Sequence, residues 1–243
     1  MSITGKTVLI TGANRGIGQA LVNEALARGA GRVYAGTRQP MAHPDERVTP
    51  LTLDVTIPGQ VKDAAERIGD LDILVNNAGI AVYDDLSDQA VLERHLAVNL
   101  FGTYRVTQAF LPKLTRARGV IVNNVSLMAL APFPVTPAYA ISKAAAFNLT
   151  QSLRALLAPR GVRVHAVLTG PTDTDMTQGF EIPKASPESV ARAIFDALEH
   201  GEEDIFPFPD PMSASVADGW RHGVAKAMER ENAAFVPAES AAA

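Results

Sequence analysis

The chain of 243 residues is 47% hydrophobic and 20% charged, which supplies enough apolar material for one large core and predicts a single domain over 1–236. A formal net charge of -4 gives no electrostatic basis for binding nucleic acid. With no cysteine, disulfide frameworks, thiolate zinc sites and cysteine nucleophiles are excluded.

At the N-terminus MSITGKTVLI offers only a short apolar run before the first glycines of a turn, too short for a signal-peptide core. No later stretch is long and apolar enough to span a bilayer, so a cytoplasmic protein without a membrane partner is expected. Strands are predicted at TVLIT (7–11), RVYAG (32–36), VTPLTL (48–53), DILVN (72–76), GVIVNN (119–124) and VRVHAVL (162–168). Between them, helical patterns run from about Gly16 to Arg28, Gly59 to Ile68, Ser87 to Leu114 and Pro137 to Ala158. This βαβα rhythm predicts an α/β fold, a doubly wound parallel sheet of Rossmann type with helices on both faces. Ser186-Pro187 marks the start of a further helix that ends near His200. Beyond Gly201 the rhythm fails: GEEDI reads as a solvated loop before an edge strand, and the tail 237–243 as frayed. Trp220 is compatible with C-terminal packing or with the rim of a pocket.

The turn TGANRGIG follows the first strand and opens the first helix. In such a junction glycines permit a tight bend and a close backbone approach, and the helix N-terminus offers free N–H groups to an anion such as pyrophosphate. The spacing Gly12, Gly16, Gly18 differs from the general GxGxxG pattern, and a purely structural turn would use glycines too. Tyr139 and Lys143 are four residues apart and so share one helix face. A lysine ammonium beside the phenol would favour phenolate and make tyrosine a better proton-transfer group at neutral pH, although a plain surface pair has the same spacing. Ser126, at a strand end, is suited either to capping a turn or to hydrogen-bonding a carbonyl oxygen that becomes negative. The five histidines show no metal-ligand spacing, and no metal is predicted.

Taken in order, TGANRGIG, NNAG (76–79), Ser126 and YAISK (139–143) resemble the short-chain dehydrogenase/reductase family over about Thr4 to Met176. The resemblance implies hydride transfer between a nicotinamide cofactor and a carbonyl or secondary alcohol. It implies a catalytic set of Asn99, Ser126, Tyr139 and Lys143, with Asn99 holding a water in a proton relay and Lys143 also binding the nicotinamide ribose. It further implies cofactor contacts from Gly12, Asn14, Arg15, Gly16, Ile17 and Gly18 in the first turn. Asp54 and Val55 are implied near adenine, Asn76, Ala78 and Gly79 near ribose and central sheet, and Gly170, Thr172 and Thr174 near the carboxamide. Thr169 stands where the family usually has proline.

Dinucleotide sites for NAD usually place an acid after the second strand, whereas an arginine there suits a 2′-phosphate. Here the place is held by Arg38, with Arg15 in the glycine turn, so NADP(H) is expected over NAD(H). Thr37-Arg38 also speaks against a Rossmann-like methyltransferase; a noncatalytic NADP-binding sensor is the other rival. The segment TQGFEIPKA stands where the family commonly has a longer helical lid, so the resemblance implies a short cover and a more open substrate cleft. Walls from Met128, Leu130, Phe133, Val135, Met176 and Phe180 favour bulky hydrophobic ketones or aldehydes, with a 3-oxoacyl-carrier-protein reductase as the alternative. On the patterns 87–114 and 137–158 apolar residues extend beyond one stripe, and the resemblance implies that these helices pack against a partner's in a two-fold dimer and that tetramers add an interface through the last strand. Pro207 and Pro209 impair pairing there, so a homodimer is expected in preference to a tetramer.

Overall fold

The computed structural model of the protein describes residues 1–39, 41–207 and 211–233. Seven parallel strands form one sheet: β1 (Thr7–Thr11), β2 (Arg32–Thr37), β3 (Val48–Thr52), β4 (Ile73–Asn76), β5 (Val120–Asn124), β6 (Arg163–Val167) and β7 (Asp204–Ile205). Their order is β3-β2-β1-β4-β5-β6-β7. The winding reverses between β1 and β4, whose C-terminal ends diverge and leave the crevice in which ligands of open α/β sheets bind.

Strand side chains alternate between the two faces, and each face meets its own helices. On one, Val8, Ile10, Ile73 and Val75 pack with Leu21 of α1 (Gly16–Ala27) and with Ile194 and Phe195 of α6 (Pro187–His200). On the other, Leu9, Leu74 and Ile121 meet Val61 of α2 (Pro58–Arg67), Phe110 and Leu114 of α4 (Thr103–Ala117) and Leu153 of α5 (Pro137–Leu157). Each such large side chain contributes about 1.5–3 kcal/mol by leaving water. Ser186 caps α6 by accepting the Ser189 N–H at 3.1 Å.

Three expectations are corrected. The pattern 87–114 is three pieces in place of one helix: α3 (Gln89–His95), a π-helical turn (Leu96–Gly102) and α4. The turn brings Asn99 inward, where it is 1% exposed, and an inserted residue of this kind often marks a functional place in a helix. The end of the chain also carries more structure than its pattern: α7 (Pro211–His222) and α8 (Val224–Asn232) follow β7. Charge holds α8, which is why an apolar period misses it. Its Lys226 is buried against Asp204 at 2.6 Å and Glu203 at 3.0 Å, and Arg154 pairs with Asp204 at 2.6 Å and with Glu229. Finally, Asp204 is a buried member of that cluster, not part of a solvated loop. Against the upward push of burial, Arg154 and Lys226 hold its carboxyl below the ordinary range. Trp220 belongs to the same packing: its ring lies 5.1 Å from that of Phe147 and its Nε1–H donates to Asp204 at 2.8 Å. The described part of the last strand ends at Ile205; Pro209 and the tail 237–243 lie outside the described residues.

Candidate active site

A cleft of about 740 Å³ opens at the C-terminal ends of β1 and β4. Its floor is the glycine turn. Gly12 has φ +66 and Gly16 φ +51, a left-handed conformation that side chains resist. A Cβ on Gly18 would stand 2.0 Å from the Gly12 carbonyl oxygen, so the first turn of α1 fits against the bend only because this position is bare. The N-cap Arg15 makes no capping bond with its side chain and the first turn holds no acid, leaving helix-end N–H groups for an anion. These features fit a dinucleotide pyrophosphate.

Of the residues expected at the cofactor, Gly12, Asn14, Arg15, Gly16, Ile17, Gly18, Arg38, Asp54, Val55, Ala78, Gly79, Tyr139, Lys143 and Thr174 line this cleft. Three do not. Asn76 is buried in the β4 face, donating to Thr107 Oγ1 at 3.0 Å and Asn123 Oδ1 at 2.9 Å. Its neighbour Asn77 is the one at the cleft, because consecutive residues at a strand end face opposite ways. Thr172 is buried in its own loop, donating to the Gly170 carbonyl at 3.2 Å, and both are absent from the cleft wall. Arg15, expected beside a phosphate, pairs with Asp175 across the mouth at 2.5 Å. Arg38, expected at the ribose 2′-position, lines the cleft.

Asn77 belongs to a polar ladder that glycine spacing does not reveal. Its Nδ2 donates to the Thr11 and Gly12 carbonyls at 3.1 and 3.2 Å, and its Oδ1 accepts from Asn124 Nδ2 at 2.9 Å. Thr169 then donates to Asn124 Oδ1 at 3.2 Å. The threonine in the family's proline position thus ties β6 to β5 with its hydroxyl, while its carbonyl accepts the Leu127 N–H at 3.0 Å.

Tyr139 and Lys143 both reach the cleft from α5 and are nearly buried. Ser126 stands at the end of β5, its Oγ accepting the Met128 N–H at 3.1 Å. Burial pushes the Tyr139 phenol up to about 12, with the Ser126 hydroxyl working against that rise. Burial also pushes Lys143 down to about 8. Its Nζ donates to the Asn124 carbonyl at 2.8 Å and lies 5.6 Å from the Tyr139 ring centre. The expected lowering of the tyrosine by lysine is therefore not seen in this structure: desolvation prevails, and the ammonium sits over the ring face with a carbonyl as its bonded partner. Gly79 is bare where a Cβ would come within 3.3 Å of Asn99 Oδ1 and 3.6 Å of Lys143 Nζ.

Asn99 uses its side chain as a clamp. Oδ1 accepts the Ile80 N–H at 2.9 Å, and Nδ2 donates to the Ile80 carbonyl at 3.0 Å and to Ser142 Oγ at 2.8 Å. Both amide hydrogens are spent, so the side chain has none to give to a relay water. His95, which no sequence signal singled out, holds the same loop: its Nε2 accepts the Val82 N–H at 3.2 Å and Nδ1 bonds the Val91 carbonyl at 2.8 Å. Its ring meets that of Tyr139 edge-on at 6.4 Å. Two residues on, the Asp84 carboxylate accepts the Ala138 N–H at 3.2 Å, directly before Tyr139. The described residues contain no group of three His, Cys, Asp or Glu placed to hold an ion. No helix among them is long and apolar enough to cross a membrane.

The short-chain dehydrogenase family model matches residues 6–184. Mouse estradiol 17-beta-dehydrogenase 2 is 34% identical over 222 residues, which are 84% of this chain but 56% of that protein's length. A short-chain dehydrogenase from Burkholderia cenocepacia J2315, solved in complex with NADP, is 36% identical with a TM-score of 0.84, covering 95% of this chain and 99% of that one. A 3-ketoacyl-(acyl-carrier-protein) reductase from Brucella melitensis, solved with NADH, is 26% identical with a TM-score of 0.75, covering 81% and 91%.

Proposed function

The chain belongs to the short-chain dehydrogenase family, and from that premise we propose that it is an NADP(H)-dependent reductase of bulky hydrophobic ketones or aldehydes. The observation that carries the reading is that buried Tyr139 and Lys143 line the same cleft as the glycine turn, with the buried Ser126 hydroxyl hydrogen-bonded to the Tyr139 phenol. When bound there, the nicotinamide supplies or accepts the hydride. Tyr139, held protonated by its burial, gives its phenolic proton to the substrate oxygen during reduction. The Ser126 hydroxyl steadies that oxygen as negative charge develops. Lys143 has hydrogens left after its bond to Asn124 with which to hold a ribose hydroxyl and to support the phenolate left behind. Alcohol oxidation uses the same groups in reverse.

Preference for NADP(H) is supported by Arg38 at the cleft and by the absence of an acid after β2. The NADP-bound neighbour agrees with it, and the NADH-bound one makes it worth measuring. Selection for apolar bulk is supported by exposed Phe133, Val135 and Met176 on the loops around the catalytic wall. A homodimer is supported by exposed apolar side chains on both helical segments, Phe101 and Tyr104 around the start of α4 and Ile141 and Leu156 on α5. The test is NADPH consumption with ketones of graded apolar bulk. The reading requires kcat/KM to rise with bulk; small keto acids or carrier-bound acyl groups as the best substrates would overturn it.

A further inference from the structure

Three aromatic rings, each from a different loop, gather around Phe180 just beyond the residues that line the cleft. Tyr83 stacks on Phe180 with ring centres 5.7 Å apart and planes 27° from parallel. Phe133 lies 6.3 Å from Phe180 at 54°. Tyr83 is 66% exposed and Phe133 39% exposed, so the trio is not part of the core. Their loops are nevertheless held firmly at the base. The Tyr83 loop is pinned at alternate residues, with Ile80 held by Asn99, Val82 by His95 and Asp84 on the N-terminus of α5. On the Phe133 loop, the Thr136 N–H closes a turn onto the Phe133 carbonyl at 3.1 Å. On the Phe180 loop, the Phe180 N–H bonds the Thr177 carbonyl at 3.2 Å, and Lys184 bonds that carbonyl at 2.8 Å.

Apolar burial alone would be met by aliphatic residues. Large flat rings on anchored loops, Tyr83 stacked on a half-buried Phe180 and Phe133 tilted against it, instead present π faces to a ligand. Continuity with the chemistry is covalent: Ile80 and Met176 line the cleft and lead by three and four residues to Tyr83 and Phe180. We propose that Tyr83, Phe133 and Phe180 form a ring-binding subsite that holds a planar aromatic group carried by the substrate carbonyl. The proposal rests on the reductase reading for its chemistry but makes its own demand. That reading asks for apolar bulk of any shape, whereas this subsite distinguishes a flat ring from a saturated ring of the same size.

Acetophenone and cyclohexyl methyl ketone share the acetyl group and a six-membered ring, and differ in flatness and π character. Titrated by calorimetry into the protein saturated with NADP⁺, which permits no reduction, acetophenone should bind about tenfold more tightly. Tyr83→Leu and Phe180→Leu, which keep apolar area and remove a π face, should each bring the ratio close to one while leaving cyclohexyl methyl ketone within about twofold of its wild-type affinity. Thermal melting of both variants should match wild type, because the rings stand outside the core. Equal affinities in the wild type, a ratio that survives in both variants, or binding of neither ketone would overturn the subsite. Aryl preference in binding without reduction by NADPH would count against the reductase reading and leave the subsite in place; reduction of both ketones without aryl preference would do the reverse.

Discussion

The two walls of the cleft are built from different materials. The proposed cofactor wall is built on backbone, a bend of glycines and a helix end, braced by the side-chain amides of Asn77 and Asn124 and the Thr169 hydroxyl, which tie the ends of β1, β4, β5 and β6 together. The proposed substrate side is side chains on three loops, with Met176 at the cleft and Tyr83 and Phe133 standing exposed beyond its lining. A wall made of backbone tolerates almost no change, because each glycine is bare for a contact already made. A wall made of exposed side chains can change its ligand without touching the fold. The proposed proton donor, Tyr139, lies on α5 and gives the largest expected effect. Tyr139→Phe removes the phenolic hydroxyl and keeps the ring against His95, so kcat should fall about a thousandfold with Tm and NADPH affinity nearly unchanged.

The next effect separates charge from backbone on the cofactor wall. Arg38→Asp should weaken NADPH binding about a hundredfold and NADH binding far less, read by fluorescence titration of each. Equal losses would remove Arg38 from the phosphate site. Gly18→Ala should act on everything at once. Its Cβ has no room against Gly12, so stability should drop by about 1–3 kcal/mol together with affinity for both cofactors. A variant that melts like wild type would break the contrast between the walls.

Much of the cofactor wall was legible because glycine, unlike other residues, reports a backbone need at its own position. The alternation of strands and helices likewise follows from period and turn residues, and the strands match within a residue or so. Asn76 and Asn77 were confused because adjacent residues at a strand end face opposite ways, and motif spacing does not say which one faces the cleft. The π-helical turn at Asn99 adds no apolar signal, so the pattern ran straight through it. His95 and Asp84 hold backbone groups of distant segments, a role set by tertiary contact alone. Helix α8 buries a lysine where a helical period seeks an apolar residue.

A smaller effect concerns pH. Burial lowers Lys143 from 10.5 to about 8, so from about pH 8 to 10.5 the unfolded chain binds the proton that the folded one releases. Stability of the cofactor-free protein should therefore rise with pH in that window. The rise of Tyr139 toward about 12 acts oppositely above pH 10, so denaturant titrations between pH 7 and 10 isolate the lysine. Lys143→Met should flatten the slope there; an unchanged slope would assign it to another group. Smaller still is the loss in His95→Leu, about 1–3 kcal/mol from leaving the Val82 N–H without its acceptor. His95→Gln should recover part of both stability and KM, which a purely steric role for the ring would not do.

The central claim is tested most directly by following nicotinamide absorbance in a stopped-flow instrument, with NADPH-loaded protein mixed with acetophenone. Wild type should consume one NADPH per ketone and yield the secondary alcohol, while Tyr139→Phe binds NADPH as tightly and consumes it about a thousandfold more slowly. Consumption by Tyr139→Phe within tenfold of wild type would contradict the assignment of the proton to Tyr139, and a wild type that oxidises NADPH with no apolar ketone would contradict the proposed reaction itself.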